Sequence, residues 1–236
     1  MRALVGCSLL FCVALLLTGC GDRPVANGSV GEAKKRQPKK APPIKQVTID
    51  IDPNMYGSVS EALADVKRLA ESGDAAAGNK LLKTETWIVR QGEKNVALLA
   101  ERVADNNENL AIRMTACRVL AKIGPAGRPA VTAATDSPKK ELRVKAIESL
   151  GRIKPVERAS LDKLIALIDD KEYDVRKAAL LGIKSMGKEG AAATTRLMEK
   201  LNDTKEDETI RSLAKDALKA VDPRKGLMGA DKERPK

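Results

Sequence analysis

The sequence predicts an all-α chain made of helix pairs repeated in tandem. Three observations point there. One pattern recurs four times in register: an apolar residue, arginine, two others, alanine, three others, an apolar residue, two others, and a final apolar residue. Offsets 0, 4, 8 and 11 of this pattern fall on one stripe of a helix, so each copy is amphipathic with the helical period. Helix breakers separate the copies, at Gly124-Pro125, Pro155, Gly187 with Gly190, and Pro223. Finally, 43% of the 236 residues are hydrophobic, yet the only aromatics are Phe11, Tyr56, Trp87 and Tyr173, and there is no histidine. The missing histidine excludes Ser-His-Asp and Cys-His catalysis and any His-ligated zinc, haem or di-iron centre. So few aromatics argue against stacking platforms for sugars or single-stranded nucleic acid.

At the N-terminus, Arg2 precedes an apolar run from Ala3 to Leu17. The run is shorter than the roughly 20 residues a membrane span needs, and the basic end before it fits a secretory signal. It closes on Leu17-Thr18-Gly19-Cys20. These four residues resemble the lipobox of bacterial lipoproteins, with residues 1–19 as the signal peptide. The resemblance implies cleavage before Cys20 and acylation of its sulfur and its new amino group. Gly21 follows the cysteine, which by the enterobacterial sorting rule implies delivery to the outer membrane. The competing reading is an ordinary signal or weak anchor with an incidental cysteine. Once Cys7 and Cys12 leave with the signal and Cys20 is lipidated, Cys117 alone remains, and no intramolecular disulfide can form.

Residues 20–57 read as a flexible basic tether. Residues 21–45 carry seven basic and two acidic side chains, with Pro24, Pro38, Pro42 and Pro43 among them. This is the composition of a solvated, extended linker. Its role is either a plain spacer or attraction to anionic headgroups, worth about 1 kcal/mol per basic residue at a membrane surface. Val47, Ile49 and Ile51 alternate with polar residues, but a lone strand has no partner, so Pro53 closes an extended lead-in. Residues 59–222 carry 30 basic and 26 acidic groups, and the flexible basic tail 223–236 adds five and two. Most of the formal net charge of +11 therefore lies in the tails, whereas a nucleic-acid binder concentrates it on one face.

The helical body spans 58–222. Ser58-x-x-Glu61 is a capping box that opens a helix to about Ser72, and a second helix follows over about 76–91. This pair, residues 58–92, lacks the arginine-alanine pattern and forms a cap. The repeats then occupy about 93–124, 125–154, 155–187 and 188–222. Their second helices carry Ile112, Arg113, Ala116, Leu120, Ile123; then Leu142, Arg143, Ala146, Leu150, Ile153; then Val175, Arg176, Ala179, Ile183, Met186; then Ile210, Arg211, Ala214, Leu218, Val221. The alanine lets a neighbouring helix approach closely. An aspartate precedes each copy, at Asp105, Asp136, Asp170 and Asp203, and a shorter apolar-periodic helix precedes each aspartate. In the second unit that first helix is short, about 127–135, and holds Pro129.

Recurring helix, aspartate turn, and helix with an apolar-arginine start resemble HEAT repeats of the short bacterial type. The resemblance implies a right-handed α-solenoid of about four helix pairs behind the degenerate N-terminal cap, with the second helices lining the concave face. It also implies that Arg113, Arg143, Arg176 and Arg211 join Asp105, Asp136, Asp170 and Asp203 in a ladder between neighbouring repeats. Offset 5 of the pattern is Cys117, Ile147 and Leu180 in the first three copies but Lys215 in the last. Apolar groups there would pack on the next repeat, and the last repeat has none. Cys117 is thus expected as an inert packing residue.

On the exposed side of the second helices stand Met114, Arg118, Glu148, Lys177, Leu181, Lys184 and Asp216, the expected partner contacts. A face that is merely solvated is the competing reading. The sequence holds no carboxylate pair facing a cleft, no CxxC and no glycine-rich phosphate loop. No catalytic residue, metal, cofactor, nucleic acid or small-molecule substrate is therefore expected. The sequence-level expectation is a lipid-anchored interaction scaffold or adaptor for a protein or peptide, in a bacterial envelope, facing the periplasm or exterior. Alternatives are a non-catalytic or lyase-like subunit of an enzyme complex, since some HEAT-like families resemble bilin lyases, and a nucleic-acid-binding HEAT module.

Overall fold

The computed structural model describes residues 50–74 and 76–228, with side chains to residue 225. The expected signal peptide 1–19, Cys20, the tether up to residue 49 and the tail beyond 228 lie outside the described residues. Within them are eleven α-helices and no strand. The cap helices are α1 (Val59–Ser72) and α2 (Ala77–Arg90). The four pairs are α3 (Val96–Ala104) with α4 (Leu110–Ile123), α5 (Arg128–Ala134) with α6 (Lys140–Leu150), α7 (Arg158–Ala166) with α8 (Tyr173–Met186), and α9 (Thr194–Asn202) with α10 (Glu208–Val221). A short α11 (Pro223–Met228) follows.

Local chemistry sets the ends of these helices. Ser58 Oγ accepts from the Glu61 N–H at 3.1 Å, and Glu61 reaches back to the Gly57 N–H at 2.8 Å, so the capping box forms. Gly73 ends α1 with φ of 64°, a left-handed cap that glycine adopts without strain. Asn109 and Asp207 cap α4 and α10 by accepting from the N–H two residues on.

The second helices form one continuous row in which α4 packs on α6, α6 on α8, and α8 on α10. Ala116, Ala146, Ala179 and Ala214 are all fully buried along it. Cys117, Ile147 and Leu180 are buried as well, whereas Lys215 is only half-buried, as an end repeat requires. Each buried Leu or Ile of the stripe contributes about 1.5–3 kcal/mol.

Two expectations are corrected. Residues 50–57, assigned by sequence to the tether, pack on the body instead. Ile51 is buried, and Trp87 Nε1 donates to the Pro53 carbonyl at 2.9 Å. The Tyr56 and Trp87 rings meet edge-on with centroids 5.3 Å apart. Tyr56 Oη donates to Asp65 at 2.6 Å and lies 2.8 Å from Thr84 Oγ1; burial, then the bond to Asp65, push its pKa up to about 12. Two of the few aromatics in the chain supply this anchor, and their large area outweighs the polar neighbours. Similarly, the expected tail begins as helix α11, because Pro223 at its first position is preset for helical φ.

The closest approach in the row lies at the end of α6. A methyl group added at Gly151 would collide with the Gly182 carbonyl on α8. Gly151 has φ of −65°, so it is the lack of space, not the dihedral, that demands glycine there. Overpacking of this kind costs about 1–3 kcal/mol. Gly151→Ala is expected to lower Tm by several degrees in a circular-dichroism melt, at roughly 2–4 °C per kcal/mol. An unchanged Tm would show that α6 and α8 are not held this closely.

Candidate partner-binding face

Arg113, Arg143 and Arg176 reach back to carbonyls at the turns, but none of the ladder arginines pairs with the carboxylate of the four aspartates. Arg113 is buried, and its Nε donates to the Val103 carbonyl at 3.0 Å. Arg143 donates to the Ser137 carbonyl at 2.8 Å and, across the repeat boundary, to Glu172 at 2.8 Å. Arg176 donates to the Asp170 carbonyl at 2.9 Å and to Glu206 of the next turn at 3.1 Å. The rungs between repeats are thus arginine to glutamate, which corrects the expected aspartate ladder.

The aspartates are held by their own turns. Asp105, Asp170 and Asp203 each accept from the backbone N–H two residues on, at 2.8–3.0 Å. A short Asp side chain closes such a turn on itself and is no longer placed to reach the next repeat. Asp136 instead accepts from Lys163 at 2.7 Å. Arg128, buried at the start of α5, pairs with Glu157 and the Pro155 carbonyl and so joins the second repeat to the third.

On the exposed side of the second helices, most of the expected contact residues already have partners. Arg118 Nε donates to Glu85 at 2.7 Å, and Lys122 meets the same carboxylate at 3.0 Å. Glu85 is buried on α2, a helix the sequence marked only as a cap; its signal was an acid three residues before Ile88, on the same side of the helix. Glu148 pairs with Lys145 one turn earlier, at 2.8 Å. Lys184 reaches Asp216 across the last boundary at 2.9 Å, and this bond holds the Asp216 carboxyl below the usual carboxylate range. Met114 and Leu181 are half-buried. Lys177 is exposed, and its ammonium has no hydrogen bond or ion pair to another described residue. The structure therefore keeps these seven positions on one row but ties four of them, Arg118, Glu148, Lys184 and Asp216, into internal pairs.

The first-helix side holds a feature the sequence did not reveal. A depression of about 480 Å³ is lined mainly by Ala100, Ala104, Ala130 and Ala133 on α3 and α5, with Arg113 and Asp136 also on its wall. The short, small-residue α5 leaves this space. Among the described residues, no cluster of three or more Cys, Asp or Glu is placed to hold a metal, and no helix is long and apolar enough to cross a membrane.

The repeated pair, its close-packed second helices and its arginine rungs define a HEAT-like repeat fold. Residues 128–219 match the protein family described as HEAT repeats. Among solved structures, the complex of CpcE and CpcF of phycocyanin lyase from Nostoc sp. PCC7120 is similar, with a TM-score of 0.53. The two chains are 21% identical over 67% of this chain and 96% of that one, a likeness of fold. No curated protein matches the chain.

Burial disfavours the charged forms of Asp169, Glu206 and Lys200, but their mutual hydrogen bonds prevail, with Arg196 and the Asp207 N–H contributing. The two carboxyls end below their ordinary pKa and the Lys200 ammonium above it. Carboxylates shifted down stabilise the fold above their unfolded pKa of roughly 4 and lose that contribution as pH falls through the folded value. Lys200 stabilises below roughly 10.4 and loses its contribution as pH rises further. With no histidine in the chain, the urea midpoint is expected to stay flat between about pH 6 and 9 and to drop below about pH 4. A midpoint that rises on acidification would contradict this sign.

A double-mutant cycle of Arg176→Leu with Glu206→Gln should return a coupling energy of about 0.5–3 kcal/mol. Coupling of zero would remove the rung as a source of stability. Burial pushes the Cys117 thiol up to about 11, despite a bond to Ser149. Iodoacetamide should leave the Cys117 peptide unmodified in folded protein at pH 8 and label it in urea, as read by mass spectrometry.

Proposed function

We propose that this chain is a lipid-anchored interaction scaffold of a bacterial envelope, facing the periplasm or exterior, and that it has no catalytic activity of its own. The carrying observation is the exposed row of second helices. Its Arg118, Glu148, Lys184 and Asp216 are held in place by internal pairs, while Lys177 is left unpaired one turn from half-buried Leu181. Side chains already ordered lose little entropy when a partner arrives. The HEAT-repeat match supports a protein-interaction role, and the solved neighbour is itself a complex of two chains. The lipobox residues Leu17-Thr18-Gly19-Cys20 support the anchor. A second reading, a non-catalytic or lyase-like subunit of an enzyme complex, draws on that neighbour being a phycocyanin lyase.

The test is crosslinking in intact cells followed by purification and mass spectrometry. A Lys177→Glu, Leu181→Ser double variant should lose specific partners at least tenfold while its Tm stays within a few degrees. Cys20→Ala should move the protein from the membrane to the soluble fraction. Partners indifferent to the double variant would refute the face, and unchanged fractionation of Cys20→Ala would refute the anchor. A stoichiometric bound pigment with no partner would favour the lyase-like reading.

A further inference from the structure

The ladder has two arginine–glutamate rungs: Arg113 takes only the Val103 carbonyl, and the guanidinium of the last arginine takes no acceptor at all. Arg143 and Arg176 each hold a carbonyl of their own turn and reach a glutamate in the next. Arg211 holds the same place in the fourth copy, yet its guanidinium makes no hydrogen bond or ion pair with any other described residue. Its Nε is shut off from solvent with no acceptor. Arg176 also has an unpaired Nε, but its terminal nitrogens are satisfied. In Arg211 only this one N–H is sealed from water; the two terminal nitrogens are solvent-accessible and unpaired, so the position keeps two donors free for an anion.

The surroundings say what that ligand is. Leu201, Glu208, Ser212 and Lys215 line, with Arg211, a depression of about 200 Å³ at the end of the array. Lys215 stands where Cys117, Ile147 and Leu180 bury themselves against the next repeat. A second identical repeat is thus a poor fit, because it would press an ammonium into an apolar contact. What suits two cations and one acid on this face is a carboxylate, the same group that Glu172 and Glu206 supply to the inner rungs.

We infer that the α9–α10 end of the array is a docking face for a different protein that presents an acidic side chain to Arg211, with a second acid against Lys215. The contact is an intermolecular rung that continues Arg143–Glu172 and Arg176–Glu206. It rests on the reading of the chain as a scaffold and adds a second surface, with a stated partner chemistry, to the row around Lys177.

The experiment uses the full chain in the cells that make it, with the photocrosslinker p-benzoylphenylalanine placed at Ser212 in one version and at Lys177 in another. Each is prepared with and without Arg211→Gln. The Ser212 probe should join a different protein within a few residues of an Asp or Glu, and Arg211→Gln should cut that yield at least tenfold. Because the Arg211 guanidinium has no internal bond to lose, Arg211→Gln should leave Tm unchanged, whereas Arg176→Gln should lower it. The inference is overturned by no adduct at Ser212, by an adduct with a second copy or with residues 229–236, or by a yield indifferent to Arg211→Gln. It is also overturned if Arg211→Gln lowers Tm as Arg176→Gln does, since Arg211 would then be structural. An adduct at Lys177 with none at Ser212 overturns the end face and leaves the scaffold standing; none at either position removes both.

Discussion

The fold depends on how near the second helices come to one another. Ala116, Ala146, Ala179 and Ala214 are fully buried, and Gly151 lies so close to the Gly182 backbone that it has no room for a methyl group. Close approach brings Leu120, Leu150, Ile183 and Leu218 of successive helices into one buried strip. It also places the third and fourth turns within reach of Arg143 and Arg176 of the repeats before them. Larger groups at these positions would push the helices apart and open the rungs together with the core.

Polar groups then set the register between repeats. An arginine that takes both a carbonyl of its own turn and a glutamate of the next fixes two units at once. Asp105, Asp170 and Asp203 act one level lower, each closing its own turn ahead of the second helix, while Ser137 does so in the second unit. This division of labour keeps the ladder inside the molecule while the exposed charges are largely paired sideways, Arg118 with Glu85 and Lys184 with Asp216. The two ends differ accordingly. The N-terminal end is closed by α1, α2 and the Tyr56–Trp87 anchor, while the C-terminal end leaves Arg211 without a rung.

The helices, their pairing and the buried stripe were legible in the sequence because they follow from local periodicity and local breakers. The expected helix over about 76–91 is α2 at Ala77–Arg90, the short first helix of the second unit is α5, and the offset-5 contrast between Leu180 and Lys215 reappears as burial. Tertiary structure decided what each long side chain touches. Asp170 and Glu172 are two residues apart, and sequence spacing cannot say which of them an arginine on four rotatable bonds will meet; the turn decides it by closing on the aspartate. It also decided that Glu85 anchors Arg118 from a cap helix more than thirty residues away, and that residues 50–57 pack, since a few aromatic and apolar groups find their pocket only after α1 and α2 have come together.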